Sequence, residues 1–323
     1  MLSARFKPWQ VAPFLAKYAW LTVRRRPVLV HFEVTLRCNA ACGFCDYWKT
    51  DPSARATELK SFADAARFFN PMLVTFTGGE PTLRRDLEDL ITEVDRAISL
   101  KYVTLITHGA LLSGERAQSL WDAGVNQFNI SLDYLDERHD RARAIPGLAA
   151  RILDAIPAMR ARGIDNIRFN TVIKNDNLDQ ILPIVARAEE LGVGVNFSLY
   201  TDAKNGNRSW LIGEHELEQL TEVVAQLLAF KRRRRGVITN SDYYLERIPQ
   251  YVRGEMRERC RSGIRTVHID PMGYVKRCPD FPTDFHWRDF RTYQPIDCNA
   301  CYYACRGEAQ APLRISRIRD VMA

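Results

Sequence analysis

The sequence has no uninterrupted apolar run of the ~20 residues that a membrane-crossing helix needs. Its first residues also lack the continuous apolar segment and small-residue cleavage site of a secretory signal. Internal repeats, low-complexity tracts and Ser/Gly linkers are absent, which excludes repeat architectures and loosely tethered modules. Acidic residues are outnumbered, 39 against 46 basic ones, for a net charge of +7. Part of that excess is local, in Arg24-Arg25-Arg26 and Lys231–Arg235; these read as solvated faces or as phosphate contacts. Basic residues interleaved with aromatics along one surface are missing, so nucleic acid is not an expected partner. What is present is a chain of 323 residues, 46% hydrophobic and 26% charged, enough for one barrel-sized soluble domain and an appendage. With no export signal, its eight cysteines read as metal ligands in a reducing cytoplasm rather than as disulfides.

Three of them are spaced Cys38-x3-Cys42-x2-Cys45, directly after the apolar run Leu29–Thr35. Three thiolates hold only three irons of a 4Fe-4S cube, whose usual complement is four Cys. The remaining iron stays open to an outside ligand, and an open position separates catalytic metal sites from closed structural ones. Asn39, Ala40 and Gly43 are small or turn-permissive residues that let one loop aim three sulfurs at one point. A zinc site or buried free thiols is the plainer alternative.

Downstream, apolar runs alternate with amphipathic stretches. Strands are predicted at 29–35, 73–77, 102–107, 126–131, 167–173 and 193–200, and helices between them at 56–69, 83–100, 114–123, 148–162 and 177–191. Six such units predict a parallel sheet with crossover helices, an α/β partial (β/α)6 TIM-like barrel over 28–235. Helices at 214–230 and 242–251 follow. In such barrels chemistry sits at the C-terminal strand ends, and there the sequence places Thr77-Gly78-Gly79-Glu80-Pro81, Ile106-Thr107-His108-Gly109 and Ile130-Ser131-Leu132-Asp133. Before the barrel, residues 1–27 form a separate element. Val11, Phe14, Leu15, Tyr18 and Leu21 make one helical stripe within 6–23. With Trp9, Trp20 and the three arginines, this suits either a helix lying on an anionic membrane or a cap on the barrel floor.

The cysteine triad with Phe44 before its last Cys, followed in order by the three strand-end motifs and then His139, Asp140, Arg141 and Arg143, resembles the radical SAM enzyme superfamily across about residues 28–308. Only His108 departs, standing where the family usually has Asn. The resemblance implies that Cys38, Cys42 and Cys45 hold a 4Fe-4S cluster whose open iron takes the methionyl end of S-adenosylmethionine (SAM). It implies that Phe44 packs against the cluster and turns its backbone to the adenine. Gly78 and Gly79 let backbone approach a ligand, Glu80 accepts from the methionyl ammonium, and Pro81 stiffens the next turn. Thr107, Ser131 and Arg143 become candidates for ribose and carboxylate contacts. The implied chemistry is reductive cleavage of SAM to a 5′-deoxyadenosyl radical, with an external one-electron reductant of the ferredoxin or flavodoxin type.

The other five cysteines fall in a region of changed character, predicted here as 236–323: Cys260-x12-Gly273-x4-Cys278, then Cys298-x2-Cys301-x3-Cys305. A glycine shortly before Cys278 suits a tight hairpin that delivers the sulfur from its far strand. This resembles the shortened SPASM, or twitch, domain and implies one auxiliary 4Fe-4S cluster on Cys260, Cys278, Cys298 and Cys301, with Cys305 as the alternative to Cys301. A Zn(Cys)4 ribbon is the competing reading. Asp280, two residues past Cys278, is a candidate general base or a solvated turn residue. The stretch before residue 29 is too short for a cobalamin or leader-peptide domain. The expected substrates are therefore a lipid or membrane-associated small molecule, which the N-terminal helix favours, or a polar sugar or cyclitol oxidised by a dehydrogenase. The former places the enzyme in the cytoplasm with peripheral contact to the inner membrane face. An iron–sulfur electron carrier and an RNA modifier are the remaining classes.

Overall fold

The computed structural model describes residues 11–49 and 60–312. It opens with α1 (Val11–Val23), then β1 (Leu29–Thr35), α2 (Ala63–Phe69), β2 (Leu73–Gly78), α3 (Leu87–Ala97), β3 (Tyr102–Thr107), α4 (Gly114–Ala123) and β4 (Gln127–Ser131). After these come α5 (Glu137–Arg143), α6 (Leu148–Ala161), β5 (Ile167–Ile173), α7 (Ile181–Leu191) and β6 (Gly194–Leu199). Strands β1 to β6 pair in parallel in sequence order, and each lies within one residue of its predicted bounds.

The helices depart further from expectation. The predicted helix over 56–69 begins at Ala63, and its first residues, 56–59, lie outside the described ones. That over 83–100 starts only at Leu87, because a 3-10 turn occupies Pro81–Leu83, and it stops at Ala97 because Ile98 is extended. Helix α5 was not anticipated at all. Asp136 caps it, its side chain accepting from the Arg138 N–H at 2.9 Å.

The cysteine-rich portion is not set apart from the barrel. Two helices, α8 (Leu217–Arg233) and α9 (Asp242–Val252), lead to β7 (Thr266–Ile269), β8 (Tyr274–Lys276), β9 (Thr283–His286) and α10 (Ala304–Gln310). Strand β7 pairs in parallel with β1, Leu29 facing Thr266 and Phe32 facing Ile269. The result is one nine-stranded sheet in the order β6-β5-β4-β3-β2-β1-β7-β8-β9. At the other edge Val195 donates to the Val237 carbonyl at 2.7 Å and accepts from Thr239 at 2.9 Å. The sheet thus continues through β7 to β9, past residue 236.

Strand alternation divides the sheet into two faces. Val30, Phe32, Val74, Phe76, Val103 and Leu105 join the helices in the apolar core. The opposite, inner face is polar: His31, Glu33, Thr75, Gln127, Arg168 and Asn196 among others. Its members bond across strands, Tyr102 Oη to Gln127 Oε1 at 3.1 Å and Asn196 Nδ2 to Asn170 Oδ1 at 2.9 Å. The six-unit, partial-barrel reading is borne out, and the inside of that barrel is hydrophilic.

Candidate active site

The first cysteine loop is bolted to the neighbouring strand ends. Gly79 donates to the Thr35 carbonyl at 2.8 Å and Glu80 to the Arg37 carbonyl at 2.7 Å. A Cβ on Gly79 would stand 2.1 Å from that Arg37 oxygen, and one on Gly78, at φ +128°, 2.3 Å from the Thr35 oxygen. Only glycine allows backbone this close. Pro81 opens the 3-10 turn, with Glu80 as its cap. From the third strand end, His108 Nε2 meets Asn39 Oδ1 at 2.8 Å, while His108 Nδ1 accepts from Ala110 at 3.1 Å. Nε2 therefore carries the proton and donates to Asn39. Burial pushes the His108 pKa down, in keeping with this neutral form. The His108 that departs from the family pattern is thus a brace for the cysteine loop.

Glu80 is saturated by the chain itself. Its Oε1 accepts from Thr82 N, Thr82 Oγ1 and Thr107 Oγ1, and its Oε2 from His108 N. The Thr107 hydroxyl also accepts from Gly109 N at 2.9 Å, so Thr107 acts on Glu80 and presents no free group. Arg143, carried in by α5, is buried and pairs with Asp133 at 2.7 Å, its Nη1 standing 3.8 Å from Cys42 Sγ. Burial alone would raise the Asp133 carboxyl, but the Arg143 and Lys174 cations hold it below its usual range. Ser131 is half-buried at the end of β4, in register with Asn170 of β5. Asn170 belongs to the polar inner face, accepting from Asn196 Nδ2.

Phe44 stands edge-on to Trp210, with ring centroids 6.1 Å apart. Lys174 Nζ lies 5.2 Å from the Phe44 ring, 4.5 Å from Tyr134 and 5.9 Å from Trp210, and donates to Tyr134 Oη at 2.7 Å. Sequence reasoning missed this aromatic enclosure of a buried ammonium, because its members come from four separate loops. It also missed Trp210 as a lid on the cysteine loop: a Cβ on Gly43 would meet Trp210 Cη2 at 2.3 Å.

The second cysteine set is assembled by long-range contacts. Cys260 is bridged to Ile296 in both directions, at 3.0 and 3.3 Å. The expected hairpin forms between β7 and β8. Gly273 takes φ +91° and donates to the Asp270 carbonyl at 3.0 Å, and Cys278 follows two residues past β8. The Cys305 thiol lies within electrostatic reach of Cys278 and Cys260, and Cys301 within reach of Cys305. Cys298 and Cys301 both lie within electrostatic reach of the Tyr251 hydroxyl, which donates to the Asn299 carbonyl at 3.1 Å. Buried Arg306 stitches the segment, donating to the Cys301 and Glu258 carbonyls at 2.5 and 3.2 Å.

Both sets suit iron–sulfur ligation. Ala40 N donates to Cys38 Sγ and Ser262 N to Cys260 Sγ, each at 3.4 Å, the kind of backbone bond that cluster thiolates receive. Burial pushes the Cys38 and Cys278 thiols up to about 11. They are protonated while free, whereas a bound metal holds them as thiolates. Among the described residues, no three His, Cys, Asp or Glu side chains converge on a single-ion site.

Between the two sets lies a group of buried polar side chains. Asp280 hydrogen-bonds the Tyr303 hydroxyl, and burial, against the pull of Lys204, raises its carboxyl pKa. Its Oδ1 has no partner, nor do the Nε2 atoms of His268 and His31. His31 and His268 stack at 4.2 Å, and burial followed by the neighbouring His268 pushes His31 well down. Lys276 donates to Glu33 Oε2 at 2.6 Å. Asp280 is thus a half-buried turn residue whose Oδ1 is enclosed.

Comparison with known proteins gives a consistent picture. The family model described as the radical SAM superfamily matches residues 32–188. The chain is 31% identical over 259 residues to a protein named GTP 3′,8-cyclase from Erythrobacter litoralis, covering 78% of this chain and 74% of that one. It is 27% identical over 315 residues to the AdoMet-dependent heme synthase of Oleidesulfovibrio alaskensis, covering 85% and 80%. Against the probable GTP 3′,8-cyclase of Thermoplasma volcanium the match is 32% and spans 57% of either chain. Among solved structures, Streptococcus suis SuiB bound to S-adenosylmethionine superposes with a TM-score of 0.64 at 16% identity, covering 86% of this chain and 67% of that one. anSMEcpe with bound AdoMet and a Cp18Cys peptide gives 0.62 at 17%, covering 81% and 77%. These two likenesses show the fold.

Proposed function

This chain belongs to the radical SAM superfamily, and from that premise we propose that it abstracts hydrogen from a C–H bond of a polar small molecule held between its two cysteine sets. An enzyme of this family uses a 4Fe-4S cluster and SAM, and needs a reductant and a substrate. The observation that carries the proposal is the enclosure of unpartnered polar atoms, Asp280 Oδ1 and the Nε2 atoms of His31 and His268, where an apolar pocket would be needed for a lipid tail. Buried polar groups without partners are costly, about 1–3 kcal/mol each, unless a ligand completes them.

In this reading Cys38, Cys42 and Cys45 hold the SAM-binding cluster. Gly78, Gly79, Pro81 and Glu80 with its Thr107 support shape the adjoining rim, and Phe44, Ser131 and Arg143 face the cofactor. Auxiliary ligands come from Cys260, Cys278, Cys301 and Cys305 or Cys298. When bound, these groups supply the one-electron chemistry: a 5′-deoxyadenosyl radical to take the hydrogen atom, and an auxiliary cluster to take the electron that the substrate radical gives up. Asp280, with its Oδ1 unpartnered, accepts the accompanying proton. The lipid reading rests on α1, which packs elsewhere, and the dehydrogenase reading fits the site better.

The test is 5′-deoxyadenosine release by anaerobically reconstituted protein given SAM, a strong reductant and either the aqueous metabolite pool or the lipid extract of its host. Stimulation by the aqueous pool, lost in Asp280→Asn while unstimulated cleavage persists, is the expected result. Stimulation by lipid alone would overturn the polar-substrate reading. No cleavage by protein with a filled first cluster would overturn the radical chemistry.

A further inference from the structure

Helix α1 is attached by one face and bare on the other. Phe14 and Leu21 are buried against the body of the protein. Lys17 Nζ donates to the Ser99 carbonyl at 2.7 Å, Arg265 Nη1 to Thr22 Oγ1 at 2.7 Å, and Arg26 Nη1 to the Phe68 carbonyl at 2.5 Å. These bonds hold α1 beside the starts of β3 and β7, while Leu15 of the apolar stripe is 53% exposed. With it, Ala12, Pro13, Ala16, Ala19, Trp20 and Val23 make up the solvent side, and Trp20 and Val23 are 44% and 82% exposed. A docked surface helix ordinarily turns polar residues to water; here every exposed residue of the helix is apolar, and Lys17, Tyr18 and Thr22 are only half-exposed. An apolar face of this extent marks a surface that something covers.

Charge identifies the cover. Arg24 and Arg25 follow the helix, both exposed, and neither has a carboxylate partner among the described residues. No Asp or Glu occurs before Glu33, so a second copy of this surface brings no acid to meet those arginines. An anionic bilayer does, and an apolar helix face bordered by Trp and Arg is what lies at such an interface. We propose that α1 docks the enzyme on an anionic lipid surface. Its anchor points precede β3 and β7, at the N-terminal ends of the parallel strands. The first cysteine loop, which follows β1 at its C-terminal end, then faces away from the bilayer. Docking in this orientation brings the enzyme to the membrane while leaving its mouth open to the aqueous phase. No helix among the described residues is long and apolar enough to cross a membrane.

Vesicle flotation tests this, using phosphatidylcholine alone and phosphatidylcholine mixed with phosphatidylserine, at low and high salt. The protein should float with the anionic vesicles and be released by salt. The triple substitution Leu15→Ser, Trp20→Ser, Val23→Ser should weaken binding roughly tenfold or more, and Arg24→Ser with Arg25→Ser about fivefold per charge, on anionic vesicles only. All five positions are exposed and none bonds a cysteine among the described residues, so iron content and SAM cleavage should stay unchanged, separating this outcome from failure of the catalytic reading. Absence of flotation, or flotation equally strong in the triple variant, would overturn the proposal. So would a dimer in sedimentation that the triple variant dissolves, since the face would then belong to a second copy.

Discussion

The two cysteine sets are built in opposite ways. The first draws three sulfurs from eight consecutive residues, Cys38 to Cys45, and fixes that short loop by bonds to the ends of β2 and β3 and to the Arg143 carbonyl at the end of α5. The second draws on residues from Cys260 to Cys305, and holds them by a two-bond bridge, a hairpin and Arg306. A local loop with global support is rigid and legible, whereas a dispersed set depends on how distant segments happen to pack. The difference predicts where each region breaks.

Glycine substitutions expose it most strongly. The Gly79 Cβ would meet only backbone, the Arg37 oxygen at 2.1 Å and carbon at 2.5 Å, and neither can move without displacing the loop. Gly79→Ala should abolish iron binding by the first set and lower 5′-deoxyadenosine release by about 100-fold or more, the loss expected when a positioned reacting centre is displaced by about 1 Å. The equivalent insult to the second region, Gly273→Ala, meets His286 Nε2 at 2.8 Å, the end of a side chain that can swing aside. Adopting φ +91° without glycine costs roughly 1–2 kcal/mol, so stability should fall while SAM cleavage survives. Iron analysis, melting temperature and the cleavage assay separate the two. Equal damage from both would refute the contrast.

The same contrast explains what was readable. The triad, the glycine pair and Glu80 are contiguous, and contiguous spacing survives translation into space; the six strands were legible for the same reason, through their apolar runs. Trp210 over Gly43, Lys174 within its aromatic enclosure and α5 delivering Arg143 were not, because each depends on a contact between segments far apart in sequence. Leu15 failed for a subtler reason: periodicity finds an apolar stripe but not which side of it meets the protein, and α1 is apolar on both.

Ligand choice in the second set sharpens the comparison at an intermediate level. Spacing favours Cys298 and Cys301 as a pair, while Cys305 is within electrostatic reach of Cys278 and Cys260. If packing decides, Cys305→Ala should lose the auxiliary iron, about four per chain for one cube, and Cys298→Ala should keep it. The reverse pattern would mean that the segment before α10 rearranges around its metal. In both variants the first set should stay filled, since no bond reported for it reaches Cys298 or Cys305.

The smallest expected effect lies at the joint between the two regions. Glu33 belongs to β1, Lys276 to β8, and the Tyr47 hydroxyl beside Glu33 comes from just past the first cysteine loop. Burial would raise the Glu33 carboxyl, but His268 and Lys276 together hold it at about 2, against 4.5 when unfolded. A depressed carboxyl stabilises the fold above its unfolded pKa, and that stability drains as pH falls from about 4.5 toward 2. The gap corresponds to an upper figure on the order of 3 kcal/mol. Melting temperature measured against pH should therefore drop more steeply for the native chain than for Glu33→Gln below pH 4.5. At neutral pH the variant should already be the less stable, because Lys276 is left with no charge to face. Parallel acid profiles for the two would mean that the regions are joined by the β1–β7 ladder alone and that the ion pair adds nothing to it.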